Sequence, residues 1–455
     1  MDNKTIAAIS TAQGEGGIGI IRVSGENSIK ICDSIFKAVS GKSLDDMKGY
    51  TAALGHVYKK DEKVDEVIAT VFREPHSYTG ENIVEISCHG GIFITREILR
   101  IIIEAGAYPA EAGEFTKRAF LNGKLDLTEA EAVIDIISAK SKNAARAAIL
   151  AKDGALWRKI ENIKNKLVTT AAHFSAWVDY PEEDIEEVSE ENLKTIFNEC
   201  MFEFNKLLAT YDLGQTVKEG IDTVIAGKPN TGKSTLMNLI SGKARSIVTD
   251  IPGTTRDIVE ETVNVGEVTL RLSDTAGMRD TDDTVEKIGV DIAKSRIKNC
   301  GLVLAVFDAG RELDDDDKQL IENVEDTPVI AVINKSDLDK KLDVSYIKSR
   351  IDKVVYISAK TGEGYDDLRA CIEKIAGTEN FNPSEGILAN ERQRTAVLNA
   401  KKALQEANEA LDIGMTFDAV NVNIEEAIEN ILELTGERVS EVVVDNVFHN
   451  FCVGK

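Results

Sequence analysis

The feature that most constrains this chain is the stretch from Ile221 to Leu239, IDTVIAGKPNTGKSTLMNL. An apolar run is followed by Gly227-Lys228-Pro229-Asn230-Thr231-Gly232-Lys233-Ser234 and then by a segment suited to a helix, which is the phosphate-loop pattern in its strand–loop–helix context. Glycines let backbone N–H groups turn toward phosphate oxygens, and the start of a helix adds a positive dipole end. Lys233 is expected to reach the β- and γ-phosphates and Ser234 to ligate Mg²⁺. The context disfavours a simple glycine turn, so the sequence predicts a bound nucleotide.

Three downstream motifs identify the nucleotide as GTP. Asn334-Lys335-Ser336-Asp337 and Ser358-Ala359-Lys360 each follow an apolar run, at the strand ends where open α/β sheets bind ligands. The Asp337 carboxylate can accept two hydrogen bonds from guanine that adenine does not offer. Asp274-Thr275-Ala276-Gly277 follows a third run and resembles the Mg²⁺-side switch of GTPases. The predicted GTP-binding residues are Asn230, Thr231, Gly232, Lys233, Ser234, Thr235, Thr249, Asp250, Ile251, Pro252, Gly253, Thr254, Thr255, Asp274, Thr275, Ala276, Gly277, Asn334, Lys335, Asp337, Ser358, Ala359 and Lys360.

Length and composition limit the remaining possibilities. The chain of 455 residues is long enough for two or three domains. Its net charge of −24 argues against nucleic-acid binding over the whole surface, so no DNA partner is expected and any RNA contact must be local. The six cysteines form no C-x-x-C pair, and the sequence shows neither a signal peptide nor a membrane-length apolar run. These features predict a cytoplasmic protein with no membrane partner.

The pattern of apolar residues predicts a multidomain α/β and α protein. Residues 1–118 read as an α+β domain, with helices near Asn27–Val39 and Ile92–Ala105. Residues 119–216 and 379–455 read as two parts of a helical domain, interrupted by an inserted phosphate-loop α/β domain at 217–378. Gly214 and Gly220 are expected to bracket the join to the inserted domain. Gly14-Glu15-Gly16-Gly17 is too irregular for a dinucleotide loop; a strand connection needing positive φ is one interpretation and a functional loop the other.

The most basic part of this acidic chain lies in the first helical part. Its cations are Lys140, Lys142, Arg146, Lys152, Arg158, Lys159, Lys164 and Lys166. A solvated helix face is the favoured interpretation, and a surface facing RNA is the alternative.

The residue after Asp274-Thr275-Ala276-Gly277 is Met278, where Ras-like switches carry a glutamine that orients the attacking water. A thioether cannot orient water, so another group must do so. Asn230 is a candidate ligand for a monovalent cation beside the phosphates, together with carbonyls of the polar segment 249–257, in which Thr255 is a candidate Mg²⁺ ligand. Glu286 is the candidate for orienting water, although its acidic surroundings also suit a solvated loop.

Several longer motifs resemble one family over the whole chain. They are Gly253-Thr254-Thr255-Arg256-Asp257, the hydrophobic residue after Asp274-Thr275-Ala276-Gly277, GGIGIIRVSG at 16–25, SYTGE at 77–81, GEFTKRAFLNGKLDL at 113–127 and the ending FCVGK. Together with the inserted nucleotide domain, they are similar to the MnmE (TrmE) family of bacterial tRNA-modification GTPases, within the TrmE-Era-EngA-like GTPases.

This resemblance implies an activity and partners that the residues alone do not reveal. Family members add a (carboxymethyl)aminomethyl group at C5 of the wobble uridine of certain tRNAs, with an FAD-dependent partner, MnmG, in a heterotetramer. A 5-formyl-tetrahydrofolate or related one-carbon folate binds the N-terminal domain, which also forms the homodimer. Carried over by motif, Arg22, Glu85, Lys124 and Lys455 would hold the folate. Cys452, which position alone would leave as an inert tail residue, becomes a candidate reactive thiol.

In the nucleotide domain, the resemblance implies a metal-assisted mechanism. K⁺ would be held by Asn230, Thr249, Ile251 and Thr254, and Mg²⁺ by Ser234 and Thr255, with Glu286 as the catalytic glutamate. Two such domains would pair across the dimer around K⁺. Pro252 stands where the family commonly has a smaller residue; proline lacks an N–H but keeps its carbonyl, so cation binding remains compatible. The alternative function, a regulatory switch in ribosome assembly, is disfavoured because residues 383–455 are acidic rather than basic.

Overall fold

The computed structural model describes residues 4–179, 189–243, 260–273, 300–324, 327–339, 341–449 and 451–454. These residues form two compact units: Met1–Ile134 with Val422–Lys455, and Asp135–Asn421. The boundaries between the units fall within two helices, Leu127–Ser138 and Phe417–Thr435. The domain boundaries expected from the sequence remain a prediction.

The first unit is built on a seven-stranded sheet. Its strands are β1 (Ile6–Ile9), β2 (Gly19–Ser24), β3 (Phe36–Ala38), β4 (Thr51–Lys59), β5 (Glu62–Phe72), β6 (Ile83–Cys88) and β7 (Tyr108–Pro109), in the order β3-β4-β5-β6-β2-β1-β7. All neighbours are antiparallel except β1 and β7, which are parallel. Its helices are Ser28–Ile35, Ile92–Glu104, Glu114–Leu121 and Glu441–His449.

Alternation along the strands gives this sheet two different faces. Ile21 and Val23 of β2 join the main hydrophobic core with Ile98 and Ile102 of helix Ile92–Glu104. The intervening residue, Arg22, therefore points to the opposite face, as does its cross-strand partner Glu85 on β6. The second face thus carries the Arg22–Glu85 ion pair.

The second unit contains a six-stranded, mostly parallel sheet. Its strands are β8 (Ile221–Ala226), β9 (Glu260–Val265), β10 (Val268–Ser273), β11 (Leu302–Asp308), β12 (Val329–Asn334) and β13 (Val354–Tyr356), in the order β13-β12-β11-β8-β10-β9. Only β9 and β10 pair antiparallel. Helices Lys233–Lys243, Asp315–Asn323, Ser345–Lys348 and Tyr365–Ile375 belong to this part of the chain. Every residue of β11 is buried, as expected for a central strand covered on both faces.

Helices make up the remainder of this unit. They are Lys142–Lys152, Ala155–Asp179, Glu190–Leu208, Tyr211–Glu219 and Glu391–Asp412, and two short 3₁₀ turns, Thr378–Asn380 and Pro383–Glu385, precede the last of them. The hairpin formed by β9 and β10 contacts the segment that leads into helix Lys142–Lys152. The Asn264 side chain of β9 donates a hydrogen bond to the Lys140 carbonyl oxygen at 2.6 Å. No helix in the described ranges is both long enough and apolar enough to span a bilayer.

The multidomain α/β and α fold class is confirmed, but three local predictions were wrong. The helix near Asn27–Val39 ends at Ile35, because Phe36–Ala38 pairs with β4 as an edge strand. Gly14-Glu15-Gly16-Gly17 does connect two strands, yet none of its glycines has positive φ. Gly214 lies inside helix Tyr211–Glu219 rather than at a helix end. A glycine is needed there because a Cβ would lie 2.6 Å from the Leu388 carbonyl oxygen.

Candidate active site

The phosphate loop connects β8 to helix Lys233–Lys243, as the sequence predicts. Gly227 and Gly232 have φ of +150° and +95°. A Cβ at Gly227 would lie 2.5 Å from the Val306 carbonyl oxygen, and one at Gly232 would overlap the Asn334 side-chain nitrogen. Both glycines are therefore required by backbone conformation and by close neighbours. Asn230 also has positive φ, which is uncommon for a residue with a side chain.

The Lys233 ammonium lies over this loop. It donates hydrogen bonds to the carbonyl oxygens of Gly227 and Lys228, each at 2.7 Å. Burial lowers the pKa of Lys233, since it penalises the charged form. A phosphate group would favour the charged form again, so its binding and protonation of Lys233 reinforce each other.

Asn334 connects three of the predicted GTP-binding segments. Its side-chain nitrogen donates to the Thr231 carbonyl oxygen at 2.8 Å, and its side-chain oxygen accepts from the Ala359 backbone N–H at 2.9 Å. The side chain is only 2% exposed. One buried amide thus joins the phosphate loop to both loops assigned to the guanine base.

A second set of contacts holds the loop from the side of β11. Lys335, with φ of +62°, donates to the Asn230 carbonyl oxygen at 2.8 Å and to the Asp308 carboxylate at 2.6 Å. Although burial alone would raise the pKa of Asp308, Lys335 and the Gly310 backbone N–H hold it below its usual range. Lys228 contacts the carboxylates of Asp314 and Asp317. These three aspartates were missed from the sequence; Asp308 could have been found because it ends a strand, where ligand-side residues lie.

The remaining predicted GTP-site residues divide by exposure. The side chains of Ser234, Thr235, Asp337 and Lys360 are exposed at the ends of their elements, whereas Ser358 and Ala359 are buried. The following predicted residues lie outside the described ranges: Thr249, Asp250, Ile251, Pro252, Gly253, Thr254, Thr255, Asp274, Thr275, Ala276, Gly277 and Glu286. No cluster of His, Cys, Asp and Glu suited to a metal occurs among the described residues.

The predicted folate residues Arg22 and Glu85 meet in the first unit. Arg22 contacts the Glu85 carboxylate at 2.8 Å through two of its nitrogens. Its guanidinium lies over the rings of Tyr78 and Phe115, 5.2 and 5.6 Å from the centroids. Burial raises the pKa of Tyr78, so this phenol stays neutral near pH 7. The Arg22–Glu85 pair therefore lies against two aromatic rings, of which Phe115 is fully buried and Tyr78 is half-buried.

Lys124 lies beside the same loop as Tyr78. Its ammonium donates to the Pro75 carbonyl oxygen at 3.1 Å, and its side chain runs past Gly80. Neighbouring Asn122 donates to the Thr79 carbonyl oxygen at 2.7 Å. Arg22 and Lys124 thus contact the segment from Pro75 to Gly80, and Glu85 joins them through its ion pair with Arg22. The fourth predicted folate residue, Lys455, lies outside the described residues.

The chain end is anchored on the first unit, a feature missed from the sequence. The Cys452 carbonyl oxygen accepts from the Gly113 N–H at 3.4 Å, and Val453 forms a β-bridge with Ala112. The Gly454 carbonyl oxygen accepts from the Ser10 hydroxyl at 3.1 Å. The Cys452 thiol is exposed. The tail therefore lies against the segment leading to Phe115, the residue that packs on Arg22.

The other cysteines differ from Cys452 in their surroundings. Cys32, Cys88, Cys200 and Cys300 are buried and Cys371 is half-buried. Burial raises the pKa of Cys88 and of Cys200 to about 11. All six cysteines are free thiols, and Cys452 is the one that is exposed.

Comparison with known proteins assigns the chain to a family. Residues 127–452 match the model of the MnmE helical domain, and residues 5–124 match that of the GTP-binding protein TrmE N-terminus. The chain is 43% identical over 454 residues to a tRNA modification GTPase MnmE of Clostridioides difficile (strain 630), covering 99% of each chain. It is 42% identical over 456 residues to the protein of the same name from Thermoanaerobacter pseudethanolicus (strain ATCC 33223 / 39E), again covering 99% of each.

Among solved structures, the G domain of the Thermotoga maritima FeoB iron transporter shares 27% identity, covering 34% of this chain and 98% of that one, with a TM-score of 0.27. Because this TM-score is low, the family assignment rests on the sequence comparisons. The phosphate loop and the two loops predicted to contact the base, joined by Asn334, are compatible with the nucleotide site that such a GTPase needs. The chain belongs to the MnmE (TrmE) family of tRNA modification GTPases.

Proposed function

We propose that this GTPase adds, with an FAD-dependent partner of the MnmG type, a (carboxymethyl)aminomethyl group at C5 of the wobble uridine of certain tRNAs, using a tetrahydrofolate one-carbon donor. Family membership over 99% of the chain supports this proposal. The single structural observation that carries the GTPase part is Asn334, which joins the phosphate loop to the loops for the base. The free state of all six cysteines is compatible with a reducing cytoplasm.

In the proposed site, each predicted residue has a distinct task. Lys233 would neutralise charge on the β- and γ-phosphates, and Ser234 would hold Mg²⁺ together with Thr255. Asp337 accepts hydrogen bonds from guanine, flanked by Ser358, Ala359 and Lys360. Asn334, itself one of the predicted GTP-binding residues, holds the phosphate loop and the base loops in register. The carboxylate of Glu286 orients the attacking water, because Met278 cannot.

We further propose that K⁺ binds beside Asn230 and that two G domains pair around it in a homodimer. The Asn230 carbonyl is already engaged by Lys335, while the side chain is exposed and has no hydrogen bond to the described residues. Its amide oxygen is therefore available as a cation ligand, together with Thr249, Ile251 and Thr254. A cation at this point would stabilise charge developing between the β- and γ-phosphates, as an arginine finger does in other GTPases.

The one-carbon donor is proposed to bind around Arg22, Glu85 and Lys124, with Lys455. Folate offers an aromatic pterin, whose N–H groups suit the Glu85 carboxylate, and glutamate carboxylates, which suit the cations. The half-buried Tyr78 ring beside Arg22 supplies aromatic surface for such a ligand, while the fully buried Phe115 packs behind the Arg22 guanidinium. Cys452, exposed on the tail that docks beside Phe115, is the proposed reactive thiol.

The K⁺ proposal is tested by steady-state GTP hydrolysis in K⁺ and in Na⁺ at matched ionic strength. We expect a K⁺ preference of at least about tenfold, lost in Asn230→Ala. Asn238→Ala is the matched control, because Asn238 is exposed on the adjoining helix Lys233–Lys243. Equal rates in the two salts would refute the K⁺ role while leaving GTP binding untouched.

The folate proposal is tested by calorimetric titration of 5-formyl-tetrahydrofolate into the full chain. Arg22→Gln removes a charged contact and is expected to weaken binding by about tenfold or more. Arg96→Gln is the control, because Arg96 is exposed in the same unit and contacts Gln13 at 3.0 Å. Equal affinities for Arg22→Gln and the unmodified chain would remove Arg22 from the site.

A further inference from the structure

The basic residues of the first helical part divide into two groups by their contacts. Residues 140–166 carry eight cationic side chains and only two acidic ones, in a chain whose net charge is −24. On helix Ala155–Asp179, Lys164 contacts Glu161 at 2.7 Å and Lys166 contacts Glu199 at 2.5 Å. These charges are neutralised locally, so they offer little to an external anion.

The cations nearer the start of this segment are different. Lys140, Arg146 and Lys152 are exposed, and none has an acidic partner within 4 Å among the described residues. Lys142 is 84% exposed and has only a distant contact with Glu267, at 3.8 Å. Arg158 donates to the Asp153 carbonyl oxygen at 2.7 Å, a contact that leaves its charge uncompensated.

The helix Lys142–Lys152 presents its cations to solvent in two places. Ala144 and Ala148 are buried on its inner face, Lys142 and Arg146 are exposed one turn apart on the opposite side, and Lys152 is exposed at the C-terminal end of the helix. The helix contains no acidic residue. With a rise of 1.5 Å per residue, its cations span about 15 Å along the axis. We call Lys140, Lys142, Arg146, Lys152 and Arg158 the basic helix surface.

We propose that the basic helix surface binds the phosphate backbone of tRNA. This inference rests on the proposed function, because tRNA is the polyanion that the proposed reaction requires. A cluster of exposed cations with little local compensation, in a protein whose net charge is −24, gives a local field that attracts a polyanion. Binding at this surface would therefore also orient the RNA, since no comparable attraction arises where the acidic side chains dominate.

An acidic protein partner would also be attracted to such a surface, but one neighbouring side chain favours RNA. Trp157, 36% exposed, adjoins Arg158 at the start of the next helix. Indole and guanidinium planes are the groups on which proteins stack unpaired RNA bases. Phosphate contacts from the cations and stacking from Trp157 together match single-stranded or loop regions of a folded RNA.

The experiment measures binding of fluorescently labelled tRNA to the full chain over a range of KCl concentrations. The double variant Arg146→Gln/Lys152→Gln is expected to bind about tenfold more weakly and to reduce the slope of log affinity against log salt by about 1.4 to 1.8. Trp157→Ala is expected to weaken binding with the slope unchanged, because stacking releases no counterions. Arg146→Lys keeps the charge and should retain the slope.

Control variants distinguish the possible outcomes. Lys374→Gln/Lys402→Gln removes two exposed cations elsewhere in the same unit and should leave tRNA binding unchanged. Basal GTP hydrolysis and thermal unfolding of all variants should match the unmodified chain, since none of the substituted residues lies in the nucleotide site.

An unmodified chain that fails to bind tRNA would overturn the proposed substrate as well as this surface. If the unmodified chain binds tRNA and the Arg146→Gln/Lys152→Gln variant binds it equally well, only the surface is overturned. Loss of MnmG binding with normal tRNA binding would assign the surface to the protein partner instead.

Discussion

Removal of the Asn334 side chain tests whether one buried amide aligns the nucleotide site. Asn334→Ala deletes two hydrogen bonds, to the Thr231 carbonyl oxygen and from the Ala359 N–H, in a position that is 2% exposed. Loss of each bond is expected to cost about 1 to 1.5 kcal/mol, because the substitution leaves the buried Thr231 carbonyl and the buried Ala359 N–H without partners. GTP binding would then have to order both segments itself. A loss of about 2 to 3 kcal/mol corresponds to a GTP dissociation constant about 30- to 150-fold higher.

The measurement is an equilibrium titration with a fluorescent GTP analogue, accompanied by stopped-flow dissociation and thermal unfolding. Asn238→Ala makes the same chemical change at an exposed position of the adjoining helix and should leave affinity unchanged. Asn334→Asp keeps the acceptor for Ala359 but sets a second oxygen against the Thr231 carbonyl, so it should be at least as damaging. A folded Asn334→Ala protein with a dissociation constant within about threefold of the unmodified value would refute the reasoning.

Three further predictions concern other parts of the structure. Lys233→Ala should reduce GTP hydrolysis by about 100-fold or more, because it removes the charged donor over the phosphate loop; a single-turnover assay that shows an unchanged rate would contradict the assigned role. Ellman's reagent at pH 8 should detect one fast thiol, abolished in Cys452→Ser, since burial and raised pKa values leave the buried thiols with little thiolate; a fast thiol that persists in the variant would disprove this. Gly436→Ala should destabilise the fold by about 1 to 3 kcal/mol in chemical unfolding, because its φ is +86° and a Cβ would lie 2.8 Å from Leu127. Gly123→Ala shares the positive φ but has open space around its Cβ, so it should cost less, and equal losses would count against the packing argument.

The nucleotide site could be predicted from the sequence because each of its elements is local. Strand, loop and helix follow each other within 19 residues around Lys233, and the base loops directly follow apolar runs. Local patterns also carried the prediction that Asn334 belongs to the site. They could not show that its amide joins two loops, since that depends on the packing of three parallel strands. The contact of Asp308 with Lys335, 27 positions away, could not be predicted for the same reason, although the position of Asp308 at a strand end was a usable signal.

The first unit shows a second limit of sequence reasoning. The residues of the tail pair with Ala112, Gly113 and Ser10, more than 300 positions earlier in the chain. No periodicity or turn signal encodes such a long-range contact. The prediction for Gly14-Glu15-Gly16-Gly17 was wrong for another reason. The glycine-rich run suggested positive φ, which none of its glycines has. The glycine that is needed here is Gly90, because a Cβ at that position would lie 2.5 Å from the Gly16 carbonyl oxygen.

The hydrogen bond from Asn264 to the Lys140 carbonyl oxygen bears on how GTP binding and tRNA binding would influence each other. Asn264 on β9 also accepts from Thr269 on β10, the strand that ends at Ser273, immediately before Asp274. Lys140 begins the basic helix surface. Thr269 lies near the start of β10, so the two contacts tie Lys140 to the opposite end of the strand from Ser273. If the segment after Ser273 responds to the γ-phosphate and the basic helix surface binds tRNA, as proposed, β10 and these two contacts would connect the two sites. Such coupling is reciprocal: the factor by which GTP changes the affinity for tRNA is also the factor by which tRNA changes the affinity for GTP.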